Sequence, residues 1–203
     1  MKARYLLVAS IASGFLLSGL SSAVDAPNVK RLGKTIGQYK DDVIQVAVSW
    51  RYAQINPKER WTFFETWMMP AGNNGLDINR EDIALYLPDG TRIPLPSQKT
   101  LTEGLPDIRR VETIGDVTRE PMEGYFTSRN GLLRLGFHEI PGTAITFDSR
   151  GIPSRWATYG DLFFPNPTGK WEKGIYTFTV KNKQVDVKIP MPIGIEGELE
   201  RVK

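Results

Sequence analysis

The 203-residue chain contains no cysteine. That absence excludes disulfides, thiol catalysis and cysteine-ligated metal, so packing alone must hold the fold. Histidine is nearly absent too: His138 stands alone, and a zinc centre built on it would need carboxylates for every other ligand. A hydrolytic triad would need His138 as base, an acid such as Asp148 and a nearby serine. No Gly-x-Ser-x-Gly elbow singles out that serine, so His138 reads as a structural or surface residue. Charge of one sign is not concentrated anywhere. The 26 lysines and arginines are interspersed with 23 acids, for a net charge of +3, which argues against nucleic acid or an anionic membrane as partner. Internal repeats, low-complexity tracts and helical periodicity beyond about three turns are also missing. Nothing in the sequence calls for a cofactor.

Long apolar runs are confined to the N-terminus. Lys2 and Arg4 precede a charge-free, largely apolar run from Tyr5 to Leu20, and the small residues Ser21-Ser22-Ala23 and Val24-Asp25-Ala26 follow. This is the pattern of a secretory signal, and the run is shorter than the ~20 residues a spanning helix needs. Residues 1–26 therefore read as a cleaved signal peptide and residues 27–203 as a single elaborated domain without a transmembrane span. The expected location is periplasmic or secreted.

What is present in quantity is period-two alternation, the mark of strands with two unlike faces. In residues 171–190, WEKGIYTFTVKNKQVDVKIP, Tyr176, Phe178 and Val180 share one face. Val185, Val187 and Ile189 share a face after a basic turn. With Asn182-Lys183 as a two-residue loop, Phe178 pairs with Val187 and Tyr176 with Ile189. Residues 43–53 alternate as well, and residues 60–69, RWTFFETWMM, are rich in aromatic and β-branched residues. Pairing the two as a hairpin sets Val48 opposite Trp67 and Val46 opposite Met69, with Trp67 on the core face. Further strands are expected at 83–87, 91–95, 132–137 and 144–147. Pro88-Asp89-Gly90 supplies a turn between the first two. Seven or so short strands between Gly/Pro turns predict an all-β antiparallel sandwich.

The sequence around Tyr176 adds a resemblance. Trp171, then Gly174-Ile175-Tyr176, then Phe178 and Val180, resembles the start of the penultimate strand of immunoglobulin-like sandwiches. There a tyrosine often bonds back to the backbone at a sheet corner. The resemblance covers roughly 20 residues and implies an immunoglobulin-like fold, without the paired cysteines of antibody domains.

Two segments, 96–124 and 151–169, read as long irregular loops, and loops beyond about 15 residues are commonly functional. The first carries Leu101, Leu105, Ile108, Val111 and Ile114 at nearly regular intervals, which suggests a segment lying on the sandwich or awaiting a partner. The second gathers Arg155, Trp156, Tyr159 and Asp161 within seven residues, a mixture typical of recognition sites. These four are the candidate partner-binding residues, with Arg155 and Trp156 at the centre. Trp50, Trp61 and Trp67 lie within strands and read as core. Asp77 to Asp82 faintly resembles a calcium loop, but Arg80 intrudes and the sixth-position glycine is missing, so it reads as a solvated turn.

The function these observations favour is a non-catalytic, exported immunoglobulin-like β-sandwich acting by binding or structural association. Its expected partner is another envelope protein or a polysaccharide. A carbohydrate-binding module using Trp156, Tyr159 and Trp171 comes second. Third is a carboxylate-based hydrolase with a cleft under residues 96–124. The signal-peptide reading makes its own prediction: protein recovered from the envelope or medium should begin near Val24 or Pro27. Intact mass spectrometry checks this, and a full-length mass would refute it.

Overall fold

The computed structural model describes residues 28–127, 130–139 and 145–195. They form β1 (Val29–Arg31), β2 (Ile36–Lys40), β3 (Ile44–Ser49), the short helix α1 (Arg51–Ile55) and β4 (Trp61–Pro70). Then come β5 (Leu76–Asn79), β6 (Ile83–Tyr86), β7 (Arg92–Pro94) and two helices, α2 (Gln98–Glu103) and α3 (Leu105–Gly115). The chain closes with β8 (Gly131–Arg134), β9 (Ser149–Ile152), β10 (Trp156–Pro165), β11 (Gly174–Lys181) and β12 (Asp186–Ile193). The protein is mostly β. A six-stranded sheet runs β1-β2-β3-β4-β10-β8 and a four-stranded sheet runs β12-β11-β6-β7, with β5 and β9 as a separate pair. All pairings are antiparallel except β8 with β10.

The two larger sheets share one apolar core. Val46, Val48, Phe64, Met68, Leu162 and Phe164 from the first meet Leu85, Phe178, Val180, Val187, Ile189 and Met191 from the second. Aliphatic and aromatic side chains at every second position supply this interface, as the alternation requires. The Pro88-Asp89-Gly90 turn forms as expected. Gly90 takes φ +86 and the Asp89 carboxylate accepts from the Thr91 N–H at 2.8 Å.

Several expectations need correction. The strand over 43–53 ends at Ser49, and Arg51–Ile55 is helical. Tyr52 is turned by that helix onto Phe63, with ring centroids 4.8 Å apart. The β3–β4 register is one residue from that expected: Val48 lies opposite Thr66 and Ala47 opposite Trp67. The doublets Phe63-Phe64 and Met68-Met69 put an apolar residue on each face, so alternation could not fix the register there. Met68 enters the core in consequence, and Trp67 faces the other way. The terminal hairpin is shifted by two residues, pairing Phe178 with Ile189 and Val180 with Val187. A two-residue shift keeps every side chain on its face. Its cause is the loop, where the Asn182 carboxamide oxygen accepts from the N–H groups of Gln184 and Val185 at 2.8 and 3.1 Å.

The fourth correction concerns the two irregular loops. Residues 156–165 of the second are strand β10. Most of the first is helix. Ser97 caps α2 by accepting from the Thr100 N–H, and Pro106 sits in the first turn of α3. Leu101, Ile108 and Val111 bury against Trp61, Phe63 and Phe163. Two glycines allow so close an approach: a Cβ on Gly104 would meet the Trp61 ring at 2.4 Å, and one on Gly115 the Phe63 ring at 2.4 Å. The segment thus straps across the outer face of the six-stranded sheet. The strand expected at 132–137 stops at Arg134. Residues 145–147 are not in a strand, and Ala144 lies outside the described residues.

Replacing Phe178 by Ala, in the shared core, should cost about 3–5 kcal/mol. Thr179 faces away from that core yet is buried, its hydroxyl donating to the Ala84 carbonyl at 3.1 Å. Thr179→Ala should cost about 1 kcal/mol, the value of that bond. Denaturant titration of both variants checks the ordering, and equal losses would contradict it.

Candidate functional site

Along β4 the odd-numbered residues Trp61, Phe63, Glu65, Trp67 and Met69 face away from the sandwich core, toward the strap. The strap seals this outer face in two places. At one end α2 and α3 lie on Trp61, Phe63 and Phe163. At the other, Met122 and Phe126 lie on Ala47 and Ala157, with Trp67 and Met69 beside them. Between the two apolar seals is a cleft of about 690 Å³, within the size range of small-ligand sites.

Its floor is a pair of acids. Glu65 of β4 is registered directly opposite Asp161 of β10, and like charges in that position repel. The strap answers with two successive residues. Arg119 makes a two-bond fork onto Asp161, at 2.9 and 2.8 Å, and donates from Nε to Asp116 at 3.0 Å. Opposite-charge hydrogen bonds hold the Arg119 guanidinium even more firmly protonated than usual. The next residue, Glu120, donates its backbone N–H to both Glu65 oxygens at 3.2 Å. Its own carboxylate accepts from the Thr35 hydroxyl at 2.9 Å and from Arg51 at 3.2 Å. Glu65 is thereby left without a cation of its own. Burial, reinforced by Asp161 and Glu120, pushes its carboxyl up to about 7 against the pull of the Glu120 N–H and Arg119.

The walls are aromatic on one side and imidazole on the other. Trp67 is stacked between Phe126 and Tyr159, with centroids 5.6 and 5.2 Å away. Arg134 bonds Tyr159 and reaches Glu139 at 3.3 Å. Across the cleft the His138 ring sits edge-on to Phe163, centroids 4.8 Å apart, with Nε2 3.5 Å from a Glu112 oxygen. Neither ring nitrogen makes a hydrogen bond.

Of the four residues singled out by sequence, Tyr159 and Asp161 lie in this cleft and Arg155 and Trp156 do not. Strand parity explains the split, because Trp156 and Tyr159 on β10 point to opposite faces. Trp156 packs its ring beside Gly131 at the parallel edge, and Arg155, at φ 63, donates to the Asn73 side chain at 3.2 Å. Trp171 is in the core against Tyr176. Glu65, Trp67, Arg119 and His138 were not grouped by any sequence spacing. One signal was visible: Glu65 shares a face with Trp61, Phe63 and Trp67, an acid where a hydrophobe would be expected.

Among the described residues no group of three or more His, Asp or Glu is placed to hold a metal ion. No helix among them is long and apolar enough to cross a membrane. No protein-family model, curated protein or solved structure matches the chain.

The raised acid has a consequence for stability. A carboxyl that titrates near 7 when folded and near 4.5 when unfolded binds its proton more tightly in the folded state. Its contribution to stability is therefore lost as the pH rises through that interval, and the penalty is complete above about 7. Glu65→Gln keeps the shape and removes the charge. Its melting temperature should exceed that of the wild type by about 2–4 °C or more at pH 8, with the difference shrinking toward pH 5. Paired thermal melts check this, and a gap independent of pH would contradict it.

Proposed function

We propose that the chain is a non-catalytic, exported β-sandwich protein that acts by binding in the cell envelope, and that its recognition site is the cleft between sheet and strap. The observation that carries the reading is the pre-formed cleft, in which aromatic walls converge on a few polar groups around a perturbed carboxyl. Export rests on the N-terminal pattern of Lys2, Arg4 and the apolar run to Leu20. An immunoglobulin-like topology is supported by strand order: β4 beside β10 in one sheet, and β6, β11 and β12 adjacent in the other, match the B–E and C–F–G neighbours of that fold. The Tyr176 hydroxyl also donates to the Glu172 carbonyl at 2.7 Å, the corner bond that fold uses. The parallel strand β8 departs from it.

A second reading is favoured by one observation. Glu65 is an acid with a raised pKa in a cleft under the strap, as a carboxylate-based hydrolase requires. Asp161 faces it, but both Asp161 oxygens are engaged by Arg119, so this nearest carboxylate is not free to act as the partner that glycoside hydrolysis needs. This favours binding over catalysis.

Capture of envelope components by immobilised protein tests the proposal, with melting temperature measured alongside. Tyr159→Ala should reduce capture at least tenfold while Trp156→Ala leaves it unchanged. Loss in Trp156→Ala at an unchanged melting temperature would move the site to the Arg155–Trp156 surface. Turnover of polysaccharide that Glu65→Gln abolishes would replace binding with hydrolysis.

A further inference from the structure

The charges lining the cleft do not balance. Six carboxylates line it, from Glu65, Glu112, Asp116, Glu120, Glu139 and Asp161, against two arginines, Arg119 and Arg134. Arg119 engages Asp161 and Asp116, Arg134 engages Glu139, and Arg51 reaches Glu120 from outside the cleft. Among the described residues, Glu65 and Glu112 are left with no lysine or arginine in ion-pair contact; the basic group nearest Glu112 is His138, at 3.5 Å.

His138 is an independent observation pointing the same way. Its side chain is only 7% exposed, it lines the cleft, and both ring nitrogens lack a hydrogen-bond partner. Buried polar atoms are normally satisfied, and one left open at a cleft wall calls for a partner from outside the chain. Two carboxylates thus lack a cation, one of them holding only the Glu120 N–H, and the imidazole nitrogens beside them lack a partner. A primary ammonium group offers one positive charge, three N–H donors and no acceptor. A neutral polyol would leave the charge unbalanced. A metal ion finds no suitable ligand cluster among the described residues.

We propose that the cleft binds a primary ammonium group of its ligand between Glu65, Glu112 and the His138 ring, with Tyr159 against the adjoining apolar part. This rests on the cleft being the recognition site. A small-molecule amine and a lysine side chain of a partner protein present the same group. Glu65 faces Asp161 across the strand pair and Arg119 and Glu120 on the strap, and Glu112 and Asp116 line the same cleft. It must lose its proton to bind a cation, so affinity should rise as the pH is raised through about 7.

Because His138 is the only histidine, its ring gives a single set of imidazole signals in a nitrogen-15-labelled sample. The intact protein is titrated at about pH 8 with cyclohexylamine, with cyclohexanol and with Nα-acetyl-lysine amide. Both amines should move the His138 signals saturably and cyclohexanol should not. Glu112→Gln, at a side chain 23% exposed and away from the strap's anchoring bonds, should weaken the amines about tenfold without lowering the melting temperature. Tighter binding of the lysine derivative points to a partner's lysine, and tighter binding of cyclohexylamine to a small amine. An equal response to cyclohexanol, or no response to either amine at about 50 mM, overturns the proposal. If Tyr159→Ala still abolishes capture in that event, the cleft reading stands and only the ammonium assignment falls. If Tyr159→Ala leaves capture intact, the cleft reading itself falls.

Discussion

Arg80 holds three connections of the molecule at one point. Its side chain is buried, and a buried guanidinium is tolerable only when its donors are met. Here Nε donates to Asp148 at 2.7 Å, and the terminal nitrogens donate to the carbonyls of Pro96, Phe137 and Phe147 at 2.6, 2.6 and 3.0 Å. Pro96 begins the strap, and Phe137 precedes His138. One side chain therefore fixes where the strap leaves the four-stranded sheet and where the imidazole wall of the cleft stands. Gln98, in the first turn of α2, adds a second bond to the Phe137 carbonyl at 3.0 Å. The buried guanidinium thus finds its acceptors in three backbone carbonyls and one carboxylate, so the charge and the backbone satisfy each other.

The far end of the strap is held by a different kind of contact. Glu65 opposite Asp161 is locally unfavourable, and a Glu buried in an aromatic strand contradicts the pattern of its neighbours. Arg119 and Glu120 relieve only part of that conflict, one by its fork onto Asp161 and the other by its backbone N–H. Places where sequence logic is violated and incompletely compensated are where function is expected. The cleft lies at such a place, between two apolar seals.

Much of the fold was legible in the chain, and the failures have identifiable causes. The terminal hairpin kept its faces, and the Pro88-Asp89-Gly90 turn formed, because alternation and turn chemistry are local. The β3–β4 register was misplaced where residue doublets such as Phe63-Phe64 served two apolar faces at once, and the terminal hairpin's where the Asn182 side chain set a longer loop. The apolar spacing of Leu101, Ile108 and Val111 was visible, but its meaning depended on a partner surface that β4 and β10 supply. Of the candidate site, Tyr159 and Asp161 were named from a single segment, while Arg155 and Trp156 were grouped with them by proximity in sequence. Strand parity then sent Trp156 to the other face.

The sequence by itself determined the mostly β character, the absence of disulfides, the inward faces of the terminal strands and the apolar character of the strap. Each follows from side-chain type and period, which act over a few residues. Only the tertiary structure decided that the outer face of the large sheet would be covered, that Glu65 and Asp161 would stand opposite each other, and that His138 would complete the same cleft. Those residues lie on β4, on β10 and beyond the end of β8. What brings them together is strand pairing across long stretches of chain and the docking of the strap, neither of which any local pattern encodes.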